Sequence, residues 1–148
     1  MSHTTTIKGL AIKSASAIRA AVERMRKDGV NVELLEKAVP RMYFESQARD
    51  VGECDFVLKF PESRYDLGLK KEGEEYTPYF DSWAGEIQKN IGARKQAVGA
   101  DPQSQVIGRF LQDYATEAAI EVAEAEGWVV EDSSVDEDGN VNLTFAVM

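Results

Sequence analysis

Three side chains in this sequence are of the kind that moves protons. His3 is the only histidine, and Ser2, Thr4 and Thr5 stand beside it. Asp66 and Asp81 sit near the two ends of residues 65–83, YDLGLKKEGEEYTPYFDSW. A histidine between a hydroxyl and an orienting carboxylate is what a nucleophilic hydrolase requires. Two carboxylates facing each other across a pair of strands could share acid–base work. Each residue also has a plainer reading. A lone histidine near a chain start more often makes a structural hydrogen bond or faces water, and an aspartate in a hairpin more often ties down a turn.

Other chemistries find less in the sequence. One histidine and one cysteine, Cys54, do not make a zinc set. The run DEDGN at 136–140 carries oxygen ligands, but its glycine falls too early for a calcium loop and the final long acid is absent. A β-turn explains it better. Neither a GxxxxGK[ST] nor a GxGxxG phosphate motif occurs. No cofactor and no metal are expected, and no residue is assigned as catalytic.

The elements that would position these residues can be read from periodicity. The opening TTTIKGLAIK is rich in β-formers. Ser14 or Ser16 can cap a helix whose apolar face is Ala17, Ile18, Ala21, Val22 and Met25, ending at Asp28-Gly29. Residues 30–39, VNVELLEKAV, are ambiguous, alternating like a strand at the start but carrying the helix-favouring ELLEKA. RMYFES at 41–46 reads as a short strand, and CDFVLKFP as a firmer one. YDLGLKK and EEYTPYFDSW form a hairpin about Gly73, with Pro78 confining the second strand to an edge or a bulge. Its register is open, so the faces of Asp66 and Asp81 are open too.

Asp101-Pro102 predicts a helix start. Val106, Ile107, Phe110, Leu111, Tyr114, Ala118 and Val122 make its apolar stripe, and Asp113, Glu117, Glu121 and Glu124 an acidic face. A closing hairpin turns at Asp138-Gly139. The expected fold is α+β, a single domain over residues 1–148 with a mainly antiparallel sheet and two principal helices on one face. A mobile loop is expected at about 92–101.

The chain has 148 residues and a net charge of −9, distributed unevenly. Residues 1–109 sum to +1, whereas residues 110–148 hold ten acids and no base. Such a field repels phosphates and favours basic partners, so direct nucleic-acid binding is not expected. No apolar run approaches the ~20 residues of a membrane span. The start MSHTTTIKGL lacks the pattern of a signal peptide. With a single cysteine, a cytoplasmic, reducing setting is expected.

Three stretches resemble one family. MSHTTTIK is similar to the MSHFTTIK opening of the hypothetical chloroplast reading frame 35 family of cyanobacteria, plastids, other bacteria and phages. YDLGLKKEGEEYTPYFDSW resembles its YDxGxxxxGxxYxxxxDxW segment, and FLQDYA followed by GWVV resembles its helix and closing hairpin. Thr4 departs from that pattern, standing where an aromatic is usual. The resemblance implies a small α+β domain and brings no catalytic residue with it.

These observations point to a non-enzymatic protein-binding or regulatory module. Its candidate surface is Tyr65, Asp66, Asp81 and Trp83, with His3 and the helix residues Gln112 and Tyr114. An edge strand or the hairpin aromatics could also serve self-association. Two alternatives stay open: an acidic nucleic-acid-mimicking inhibitor of phage or accessory type, and a small enzyme using His3 with Asp66 or Asp81.

Overall fold

The computed structural model describes residues 2–7, 11–92, 106–135 and 141–147, with the backbone alone at 2–7, 135 and 141. Within them the chain is α+β and every strand pairing is antiparallel. The antiparallel pairing expected from the sequence is divided between two sheets, of three and four strands. Contacts group the chain into two units. One comprises Met1–Leu10, Ser14–Ala21 and Arg94–Met148, the other Ala11–Lys13 and Val22–Ala93.

Helix α1 (Ala15–Lys27) follows the local rules closely. Ser14 caps it, its Oγ accepting the Ala17 N–H at 3.1 Å and so satisfying a first-turn donor. Ala17, Ile18, Ala21, Val22 and Met25 are all buried. At its end Gly29 adopts φ 90°. The Gly29 N–H bonds the Arg26 carbonyl and the Val30 N–H that of Met25, the two bonds that close a helix through a left-handed residue.

The first unit carries strands β1 (Ser2–Ile7), β6 (Trp128–Val135) and β7 (Val141–Val147) in the order β1-β7-β6. The longest helix among the described residues, α4 (Gly108–Ala125), packs on them. Ala115 and Ala119 meet Leu143, Phe145, Trp128 and Val130. The Trp128 and Phe145 rings stack at 4.6 Å.

The acidic face expected on α4 is partly internal. Asp113 is wholly buried, its Oδ2 2.9 Å from the Arg109 Nε one turn earlier, while Val122 of the expected apolar stripe is exposed. Burying Arg109 with Asp113 offsets the cost of removing either charge from water. The buried side of the helix therefore includes polar residues that periodicity alone assigns to solvent. Glu121 is also committed, accepting the Ser14 hydroxyl at 2.8 Å and the Ser16 hydroxyl at 2.5 Å. A carboxylate there faces the positive end of the α1 dipole.

The second unit is built on the sheet β2-β3-β4-β5: Glu33–Ala38, Cys54–Lys59, Leu67–Glu72 and Glu75–Tyr79. ELLEKA is the strand β2, because pairing with β3 overrides its helix propensity. The β4–β5 register joins Glu72 to Glu75. That leaves a two-residue loop whose first residue, Gly73, has φ 70°, as a type II′ turn demands. Pro78 lies on β5, which among the described strands pairs with β4 alone and so lies at the edge.

RMYFES is not a strand: residues 41–44 are irregular and lead into helix α2 (Glu45–Val51). After β5 a 3-10 turn (Trp83–Gly85) leads into the short helix α3 (Glu86–Asn90). The Asp101-Pro102 helix start, the Asp138-Gly139 turn and all of the expected mobile loop but Gly92 lie outside the described residues. No helix among the described residues is long and apolar enough to cross a membrane.

Candidate functional site

The hairpin register would set Asp66 opposite Asp81, since Gly68 pairs Tyr79 at the end of the ladder. Both carboxylates are taken up by other partners. Each holds the irregular segment 41–43 instead. Asp66 Oδ2 accepts the Arg41 N–H and Nε–H, both at 2.9 Å, and Oδ1 accepts from Nη2 at 2.7 Å. The Asp66 N–H returns a bond to the Arg41 carbonyl. Two residues on, Asp81 Oδ2 accepts the Tyr43 N–H at 3.1 Å. Its Oδ1 accepts the Trp83 N–H at 2.9 Å. The segment expected to be a strand is irregular because side-chain carboxylates, not a neighbouring strand, take its N–H groups.

Asp66 is therefore a structural anion. Its side chain is 3% exposed, and a fork of guanidinium donors surrounds it, a strong and directional arrangement. The hydrogen bond to Asp66 in turn pushes the Arg41 guanidinium further above its usual range. Tyr65 is buried as well. Burial pushes its phenol up, with the charge of Asp81 adding to the effect. Gly68 lies between β3 and the 38–40 connection. A Cβ there would stand 2.8 Å from the Cys54 Sγ and 2.9 Å from the Pro40 Cγ, so this glycine serves close approach rather than a turn.

Trp83 is different. It is 58% exposed, and so are Tyr43 at 52% and Phe44 at 56%. The three rings are contiguous. Tyr43 meets Phe44 edge-on at 4.7 Å and Trp83 edge-on at 5.7 Å. Asp81 fixes the backbone under Tyr43 and Trp83 at once. Immediately after Trp83 come Ala84 at φ 57° and Gly85 at φ 65°. A left-handed alanine costs about 1–2 kcal/mol, and such strain concentrates where a backbone must hold a functional shape. Beside the rings lies an open cleft of about 360 Å³ lined by Met42, Gln47, Asp50, Val51, Phe80, Asp81 and Ser82.

The surface expected from the sequence is thus only partly a surface. Tyr65, Asp66, Gln112 and Tyr114 are buried. Gln112 and Tyr114 belong to the packed side of α4, and the Tyr114 hydroxyl accepts the Ser14 N–H at 3.0 Å. The Tyr114 ring also lies 6.2 Å from that of Phe110, and the Gln112 carbonyl accepts the Thr116 hydroxyl at 2.9 Å. His3 stands opposite Phe145 in the β1–β7 pairing. Asp81 and Trp83 remain accessible, and Tyr43 and Phe44 join them from a segment that sequence reasoning assigned to a strand. The signal was available: two adjacent aromatics in a run too polar at both ends to be a core strand.

Among the described residues no group of three His, Cys, Asp or Glu side chains could hold a metal ion. Comparison with protein-family models, curated proteins and solved structures finds no match to this chain.

Proposed function

We propose that this protein is a protein-binding module whose contact surface is the exposed aromatic group Tyr43, Phe44 and Trp83. The observation that carries the reading is the group's combination of exposure and rigidity. Aromatic side chains can bury 150–250 Å² each. Leaving half of each in water forgoes about 2 kcal/mol per ring at roughly 25 cal/mol per Å². Two of the three are nonetheless anchored through their backbone to one carboxylate, Asp81. Pre-set tryptophan and tyrosine side chains are what the energetic centres of protein interfaces are made of.

The proposed family resemblance supports the same choice. Of its three stretches, the one over residues 65–83 rests on Tyr65, Asp66, Gly68, Gly73, Tyr76, Asp81 and Trp83. Tyr65, Asp66 and Tyr76 are buried. Gly68 permits close approach, Gly73 makes a turn, and Asp81 ties two backbone N–H groups. Six of the seven have a structural reason to be what they are, whereas Trp83 is mostly exposed and meets the equally exposed Tyr43. Acid–base use of Asp66 would require breaking its Arg41 clamp, which weighs against the enzymatic reading. Internal commitment of Asp113 and Glu121 weakens the case for nucleic-acid mimicry by the α4 face. A reducing, cytoplasmic setting belongs to the same proposal.

The test is affinity capture from the source cells with wild-type and Trp83→Ala protein in parallel, followed by mass spectrometry. Wild-type protein should retain a partner that Trp83→Ala, at an unchanged melting temperature, loses. An identical set of captured proteins with both would overturn the reading.

A further inference from the structure

The cleft beside the aromatic group has a chemical bias that selects its occupant. Its floor is Met42, Val51 and Phe80, and its charged lining is Asp50 and Asp81 alone. The basic side chains of the neighbouring segments already have partners, Lys70 at the cleft residue Val51 itself. Arg41 is bound to Asp66, Arg49 lies 4.0 Å from Glu45, and Arg64 lies 3.5 Å from Glu86. Lys70 donates to the Val51 carbonyl at 2.7 Å. Among the described residues no basic side chain forms an ion pair with Asp50 or Asp81. The cleft thus offers two carboxylates beside an apolar floor, and Tyr43 and Trp83 directly follow its lining residues Met42 and Ser82 in the chain.

We infer that the cleft receives a basic side chain, arginine above all, from an extended segment of a protein partner. This rests on the contact-surface reading above and specifies its chemistry. The aliphatic stem of such a side chain covers Met42, Val51 and Phe80, as long basic side chains do when their heads stay polar. The guanidinium reaches Asp50 and Asp81. Planar donors match carboxylates in pairs and also stack on aromatic rings, which an ammonium does less well. Asp81 is well suited to its share: both its oxygens already accept a backbone N–H, so its position is fixed, and each keeps acceptor capacity. Asp50, on exposed α2, is the freer partner. The excess negative charge of the whole chain, −9, attracts a basic segment before contact.

Small probes test this without a known partner. The blocked dipeptide acetyl-Arg-Leu-amide is titrated into isotope-labelled protein, and amide shifts are followed by NMR. Acetyl-citrulline-Leu-amide, the neutral isostere, is the comparison. The arginine probe should shift the amides of Met42, Asp50, Phe80 and Asp81 and the Trp83 indole. It should bind about tenfold more tightly than the citrulline probe. Asp50→Asn, an exposed substitution that leaves every described hydrogen bond in place, should shrink that ratio to about twofold. Equal affinity of the two probes for the wild-type cleft would overturn the cationic inference and leave the contact surface standing. No cleft shifts with either probe at about 10 mM would count against both.

Discussion

The carboxylates at 66 and 81 show how a residue's apparent chemistry depends on what meets it. From the sequence they are a candidate acid–base pair; in the structure each anchors one end of a three-residue segment. No local pattern reveals this, because the partner segment lies 25 residues from Asp66 and 38 from Asp81 along the chain. Gly68 is a similar case, its requirement created by Cys54 and Pro40 rather than by its own backbone. Gly68→Ala would drive a Cβ into two neighbours at under 3 Å. Overpacking of this kind typically costs about 1–3 kcal/mol, so the melting temperature should fall by several degrees. Adding Cys54→Ala removes one of the two obstacles and should recover part of the loss. A Gly68→Ala protein as stable as wild type would show that the β3–β4 spacing gives way at little cost.

At the scale of elements, the sequence was most informative where the chain answers to itself. The cap, face and stop of α1, the Gly73 turn and the edge position of Pro78 all depend on neighbours within a few residues. It was least informative where a long-range partner decides. ELLEKA is a strand because β3 pairs with it, and the polar inner side of α4 exists because Arg109 meets Asp113. The β4–β5 hairpin adds a cross-strand bond that alternation does not announce, the Tyr79 hydroxyl donating to the Glu72 Oε1 at 2.5 Å. This bond holds the Glu72 carboxyl below its usual range, with Thr77 contributing, and the Tyr79 phenol above its own. A depressed carboxyl pKa stabilises the folded hairpin above the unfolded value of about 4.3. That contribution is lost as pH falls through the lower, folded value. Tyr79→Phe should therefore move the NMR-observed Glu72 titration upward, towards the ordinary glutamate range. Glu72→Gln should bring the Tyr79 phenol down, as read by its ultraviolet titration. If neither partner moves when the other is replaced, the bond is not what sets them.

For the molecule as a whole, charge and the aromatic group pull in opposite directions. Exposed aromatics in contact with one another are a site of self-association unless something keeps copies apart. At neutral pH the net charge of −9 does so, over a Debye length of about 8 Å at physiological salt. The sequence pI is about 4.7. As carboxylates gain protons on the way there, the repulsion fades while the apolar area of Tyr43, Phe44 and Trp83 is unchanged. Light scattering should find monodisperse protein at pH 7 and growing particles near pH 4.7. Trp83→Ala leaves the charge untouched and removes the largest exposed ring, so it should suppress that growth severalfold at the same pH. A surface glutamate such as Glu124 offers the control: Glu124→Gln reduces the charge without touching the rings and should shift the onset to slightly higher pH. If Trp83→Ala and wild type associate alike, the adhesive face lies elsewhere, and exposure of the three rings no longer marks them as a contact surface.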